Sequence, residues 1–276
     1  ANGKVLITCC GSGNRSVHEA ELFDPETGEW ELNGPMSVPR CVHTITQLES
    51  GDVLVAGGID WLTEEVRDTA EIYDYQQGRW REVGRMHTSR FSHRAVRLND
   101  GRVLAIGGHD GYPGFEPVTA TAEIFDPDTG EWTPTAPMKS ARRSQGAALL
   151  HDGRVLVVGG ASGTKNAARQ MDFCEIFDPA TETWSTTAPL AEARWGPTVN
   201  VLPNGQVLVT GGGMGPFGAR SSAELFDPAT GKWASAGKLK QARNGHRSIW
   251  LTDGRLLIAG GHYVGSYLSS CETYAP

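Results

Sequence analysis

The chain has 276 residues, with 25 Lys and Arg against 32 Asp and Glu, a net charge of −7, and 39 % apolar content. That apolar share supports a packed core and excludes disorder, while the acidic balance argues against general nucleic-acid binding. Glycine, at 35 residues, exceeds its usual share of about 7 %, and apolar runs such as Val155–Val158 fall far short of the roughly 20 residues of a membrane-spanning helix.

The chain opens on Ala1-Asn2-Gly3-Lys4, with neither a start methionine nor a signal-peptide pattern, and so reads as processed or as the interior of something longer. Five cysteines rule out a complete intrachain disulfide framework, so buried free thiols are expected. Next comes Ala20-Glu21-Leu22-Phe23-Asp24-Pro25-Glu26-Thr27-Gly28-Glu29-Trp30, a run that returns with small changes at 70–80, 122–132, 174–184 and 223–233. Its closing tryptophans, Trp30, Trp80, Trp132, Trp184 and Trp233, recur at intervals of about 50 residues. Glycine pairs (Gly57-Gly58, Gly107-Gly108, Gly159-Gly160, Gly211-Gly212, Gly260-Gly261) and arginines (Arg40, Arg90, Arg142, Arg194, Arg243) keep the same beat.

Each period reads as four strands. Strand a follows the arginine, as in His43–Leu48; strand b runs into the glycine pair, as in Val53–Ala56; strand c is the Ala-Glu-Ile-Tyr-Asp type; strand d surrounds the tryptophan. Asn-Asp-Gly-Arg or a variant (99–102, 151–154, 203–206, 252–255) supplies the tight a–b turn, and Asp-Pro-x-Thr-Gly (24–28, 126–130, 227–231) the c–d turn. No segment carries a 3.6-residue apolar period, so the chain is all-β. Strand b is apolar without alternation, which points to burial on both faces by radial stacking of four-stranded sheets. The tryptophans are expected to wedge between those sheets as core.

The arginine, the Gly-Gly, the Glu-x-aromatic-Asp and the tryptophan at this spacing resemble the kelch repeat family across essentially the whole chain. The resemblance implies a kelch-type β-propeller, one domain over residues 1–276. Strands b and c occur six times but a and d five times, which gives six blades, the first lacking its inner strand and the last its outer strand. A larger propeller cut at both ends is the alternative.

Antiparallel order puts the tight a–b and c–d turns on one face and the b–c and d–a loops on the other. The b–c insertions, 59–69, 109–121, 161–173, 213–222 and 262–270, carry Trp61, Tyr112, Phe115, Met214, Phe217, Tyr263 and Tyr267. Loops on a rigid scaffold are where function usually lies. In kelch-type adaptors an arginine of the d–a loop contacts acidic peptides. By that resemblance Arg40, Arg90, Arg142, Arg143, Arg194 and Arg243 are candidates for holding a carboxylate or phosphate at the channel mouth. The competing reading pairs them with the glutamates opening strand c: Glu21, Glu71, Glu123, Glu175, Glu224 and Glu272. Arg143 and Arg220 stand outside the strict register and are freer to serve a ligand. Trp61, His109, Tyr112, Trp195, His262 and Tyr263 complete the ligand-binding candidates. His43, His93 and His246 share one slot in three blades, but Gln145 and Pro197 fill it elsewhere, so no metal is expected there.

No P-loop, nucleophile elbow, zinc-finger spacing or dinucleotide fingerprint occurs, and no cofactor is expected. The leading expectation is a monomeric binding module. Its loop-rich face and channel mouth would hold a peptide or protein segment, an acidic one above all, or a small anionic ligand. The alternative is a propeller enzyme, an epimerase, lyase or metal-dependent oxidase, acting on a sugar or secondary metabolite, with His109 and His262 as acid–base candidates.

Overall fold

The computed structural model describes residues 3–8, 18–111, 117–163, 168–214 and 218–276. Every regular element among them is a strand, and no helix is long and apolar enough to cross a membrane. The architecture is a six-bladed β-propeller, and its chain divides into two compact units, Ala1–Pro137 and Met138–Pro276.

In the first unit, blade 1 is, among the described residues, a three-stranded sheet of b, c and d (Val5–Thr8, Ala20–Asp24, Glu29–Asn33). Blade 2 is complete (Thr44–Gln47, Val53–Ala56, Ala70–Asp74, Arg79–Glu82), as is blade 3 (Arg94–Arg97, Val103–Ile106, Ala122–Asp126, Glu131–Pro134). In the second unit, blade 4 (Gly146–Leu149, Val155–Val158, Cys174–Asp178, Thr183–Thr186) and blade 5 (Thr198–Val201, Val207–Thr210, Ser222–Asp227, Lys232–Lys238) are complete. Among the described residues blade 6 is a three-stranded sheet of a, b and c (Arg247–Trp250, Leu256–Ala259, Cys271–Tyr274). The count of six with two incomplete sheets is the one the repeat arithmetic gave.

The core lies between blades. Leu54 and Ile72 of blade 2 pack with Val103, Phe125 and Trp132 of blade 3. Leu156 and Ile176 of blade 4 pack with Val207 and Phe226 of blade 5. This is why strand b lacks alternation: Val155, Leu156, Val157 and Val158 are all fully buried, since a blade is covered on both sides.

Each strand-d tryptophan tilts against the strand-c aromatic opposite it, with ring centroids 4.8 Å apart for Phe23–Trp30 and 5.1 Å for Phe125–Trp132. The expectation that all five are core needs correcting. Trp132 is buried at 4 % exposure, but Trp30 is 53 % exposed, and Trp80, Trp184 and Trp233 are half-buried. The indole N–H groups of Trp80 and Trp233 donate to the Gly34 and Ala188 carbonyls of the neighbouring blade. The rings therefore seal the outer end of an inter-blade seam, where one edge meets water.

Candidate functional site

The five periodic arginines build the floor of the loop-rich face. Arg40 enters on the d–a loop before blade 2, and its Nη1 donates to the carbonyls of Gly57 (2.8 Å) and Thr69 (3.0 Å). Its Nη2 donates to Thr69 Oγ1 and to Glu71 Oε1 at 2.7 Å. The pattern repeats with Arg90 on Gly107, Thr121 and Glu123, and with Arg142 on Gly159, Phe173 and Glu175. Arg194 uses Gly211, Ser222 and Glu224, and Arg243 uses Gly260, Ser270 and Glu272. Each glutamate also accepts a backbone N–H from the loop that carries its arginine: Ser37, His87, Lys139, Ala191 and Lys240 respectively. One buried pair thus ties together the d–a loop, the first glycine of the pair, the end of the b–c loop and the start of strand c.

These arginine side chains are 0–1 % exposed. Burial pulls the pKa of Arg40, Arg90, Arg142 and Arg194 downward, and the facing glutamate pulls it back up. As candidates for an external anion, Arg40, Arg90, Arg142, Arg194 and Arg243 are accordingly corrected. A guanidinium sealed beneath the loops, with its terminal nitrogens committed to a carboxylate and two carbonyls, presents nothing to a ligand.

The glycine pair is forced by this packing. A Cβ on Gly211 would stand 2.6 Å from the Arg243 carbonyl, and one on Gly58 2.8 Å from the Cys41 carbonyl. The second glycine of the pair donates its N–H to the carbonyl of the next blade's arginine, as Gly58 does to Arg90 and Gly212 to Arg243.

Above the floor lies a variable layer. The residue after each arginine bridges, in antiparallel fashion, to the residue after a glycine pair: Cys41 with Ile59, Phe91 with His109, Arg143 with Ala161, Trp195 with Gly213 and Asn244 with His262. His109, Arg143, Trp195 and His262, four of the candidates read from the sequence, therefore hold equivalent positions in their own blades, each paired only within its own bridge. The partners fit by size. Phe91 stacks on His109 at 4.5 Å, and a Cβ on Gly213 would collide with the Trp195 ring. Asn244 faces His262 at 3.4 Å. His109 is 3 % exposed and covered by Phe91; Trp61 is half-buried, edge-on to Phe91 at 5.9 Å. Tyr112, with Phe115 and Phe217, lies outside the described residues. Arg220, read as free, instead bonds the Ala193 carbonyl and Glu192.

Beyond this slot the b–c insertions rise as two-stranded ribbons. They pair Ile59–Asp60 with Glu65–Val66, Ala161–Ser162 with Arg169–Gln170, Gly213–Met214 with Gly218–Ala219, and His262–Tyr263 with Ser266–Tyr267. Their apolar side chains face water: Leu62 is 74 % exposed, Met214 47 %, Tyr263 41 %, Val264 60 % and Tyr267 94 %. Val264 sits at φ 47°, a left-handed conformation that a β-branched residue adopts only under strain. Phe91, Asn244, Leu62 and Val264 were not singled out from the sequence. The first two stand one residue past a periodic arginine, a readable signal.

The shared histidine slot is structural. His43 Nε2 bonds Thr8 Oγ1 at 2.7 Å, His93 bonds Thr44 at 2.9 Å, and His246 bonds Thr198 at 3.0 Å, each stapling a blade to the one before it. Burial pushes His43 and His246 down to about 4 and His93 well below the ordinary value, with the nearby arginine adding to each shift. The turn face is self-satisfied by contrast: Arg102, Arg154 and Arg255 fold back onto Asp100, Asp152 and Asp253 two residues earlier.

Radial four-stranded sheets over a repeating Arg–Glu floor define a kelch β-propeller. The kelch motif model matches residues 50–87, 90–139 and 142–191, half of the chain, which belongs to the kelch-repeat family. The solved structure of YjhT is similar over 100 % of this chain and 93 % of that one, with a TM-score of 0.79 at 16 % identity, a likeness of fold.

Proposed function

We propose that this propeller is a binding module that holds a peptide segment of a partner protein on its loop-rich face, through the layer above the arginine floor. The observation that carries the reading is internal to the chain. The floor uses the same Arg–Glu pair in blades 2 to 6, while the slot directly above it holds Cys41, Phe91, Arg143, Trp195 and Asn244 in turn. Packing alone asks for the same residue in each copy; five different ones suit a surface selected blade by blade for what it touches. The exposed Tyr263, Val264 and Tyr267 support it, because aromatic and apolar groups held on short ribbons lose little entropy on binding. A preference for acidic segments rests on Arg143, which takes over the role first read into the buried arginines.

Selection of a displayed random-peptide library on the immobilised protein tests this. Enriched peptides are expected to lose at least tenfold in affinity on Trp195→Ala and on Tyr267→Ala, and to be indifferent to Arg154→Ala on the turn face. Peptides indifferent to both rim substitutions would refute the assignment of this face.

A further inference from the structure

Asparagine stands directly before glycine at four places, 2–3, 33–34, 204–205 and 244–245. The pair carries a latent reaction, because a glycine nitrogen, with no Cβ beside it, can reach the side-chain amide of the residue before it. Asn2 lies outside the described residues, and the other three pairs are held in different ways. In the a–b turn of blade 5 the Gly205 N–H donates to the Leu202 carbonyl at 2.9 Å. Asn204 Oδ1 accepts the Gln206 N–H, and its Nδ2 donates to Gln206 Oε1. Nitrogen and amide are thus engaged apart from each other. Asn244 is 1 % exposed, with Nδ2 turned to His262 and Oδ1 packed against Gly196.

At Asn33, the last residue of strand d in blade 1, the two groups meet. The Gly34 N–H donates to Oδ1 of Asn33 itself at 2.8 Å, which brings the nitrogen to the carbonyl group it would attack, the placement that proximity catalysis requires. The nitrogen that would leave, Nδ2, donates to the hydroxyl of Tyr73 in blade 2. From the same blade Trp80 Nε1 donates to the Gly34 carbonyl at 2.7 Å and holds the glycine in place. Asn33 is half-buried and Gly34 exposed, so water reaches both. Packing against a tryptophan does not call for the Tyr73 hydroxyl, since phenylalanine does the same in Phe23, Phe125, Phe177 and Phe226.

We propose that Asn33–Gly34 is a self-modification site, at which the chain deamidates through a cyclic imide. Hydroxide takes the Gly34 amide proton, and the nitrogen forms a bond to Asn33 Cγ. The Cγ–Nδ2 bond breaks, and Nδ2 leaves as ammonia with a proton that the Tyr73 hydroxyl hands over and regains from water. Water then opens the imide. Cleavage at Cγ gives aspartate; cleavage at the main-chain carbonyl gives isoaspartate, which lengthens the main chain by one methylene beside the carbonyl that caps Trp80. The site lies in the seam between blades 1 and 2 and does not depend on the peptide reading of the loop-rich face.

The test incubates the full chain at mildly alkaline pH beside synthetic peptides of residues 29–38, 200–208 and 240–248. Conversion is followed by mass-resolved peptide mapping after digestion in acid, where the reaction stops. Asn33 in the folded chain is expected to convert at least as fast as in its peptide, and Asn204 and Asn244 at least tenfold more slowly than in theirs; this comparison needs no variant. Gly34→Ala, where a Cβ would meet nothing within 4 Å, should slow conversion at Asn33 at least tenfold. Tyr73→Phe should slow it at least threefold in the folded chain and leave it unchanged in unfolding urea, with the urea midpoint of each variant checked. Asn33 converting tenfold more slowly in the folded chain than in its peptide would overturn the proposal, and would make the Tyr73 contact a clamp that protects the amide. Conversion no faster at Asn33 than at Asn204 would overturn it equally. An unaltered rate in folded Tyr73→Phe would overturn the role given to the hydroxyl.

Discussion

Arg194 and Trp195 are neighbours in the chain and opposites in role. Arg194 is fully buried, with its guanidinium on Glu224 at 2.6 Å and on the carbonyls of Gly211 and Ser222. Trp195, one residue on, is half-buried over Gly213 in the slot whose occupant changes from blade to blade. The backbone alternation that sends one side chain down and the next up divides the loop-rich face into a floor and a rim. The floor repeats because a buried charge tolerates one solution; the rim varies because water and ligand tolerate many.

Breaking the floor should produce the largest effects. Arg142→Leu leaves Glu175, itself fully buried, without its cation, and is expected to lower stability by about 3–5 kcal/mol, read as a fall in urea midpoint. The inter-blade wedges sharpen the same contrast. Trp132→Ala should lower stability by about 3–5 kcal/mol, as a buried truncation. Trp30→Ala, at a ring 53 % exposed, should stay near about 1 kcal/mol. Equal losses from the two would dissolve the distinction between seam and surface.

Acid tests the staples beneath the rim. His43 and His246 have folded pKa values of about 4, below the ordinary 6.5, so folding favours the neutral ring. Their contribution is fully present above pH 6.5 and is lost as pH falls from there through about 4, on the order of 3 kcal/mol for each. Denaturation midpoints between pH 7 and pH 4 should therefore drop. His43→Gln should flatten the drop, since Gln145 already fills this slot in blade 4. The smallest effect belongs to the rim itself. Val264→Asn, at φ 47°, should stabilise the fold by about 1 kcal/mol through relief of left-handed strain, measured as a raised midpoint.

Much of this was legible in the sequence, because a buried element repeats and repetition can be counted. The five-fold tryptophan, glycine pair and arginine set the period, and strands b and c counted six times against a and d five times pointed to six blades with two incomplete sheets. The glutamate beginning strand c, periodic and set among apolar residues, already named the arginine's partner. What periodicity hid was exposure. Trp30 shares its motif with Trp132, yet its environment depends on what stands beside the blade, and no local pattern encodes that. The histidine staples were equally hidden, since each bonds a threonine 35 or more residues earlier. The rim was half visible: Trp195 and Tyr263 stood out as aromatics in loops, whereas Asn244 gained meaning only once its bridge to His262 was seen.

The most direct test of floor against rim is a paired measurement on Arg194→Leu and Trp195→Ala, taking the urea midpoint of each and its affinity for a library-selected peptide. The account predicts that Arg194→Leu loses about 3–5 kcal/mol of stability. Trp195→Ala should lose less than half as much while binding the peptide at least tenfold more weakly. A Trp195→Ala protein destabilised as severely as Arg194→Leu, with peptide affinity intact, would contradict it.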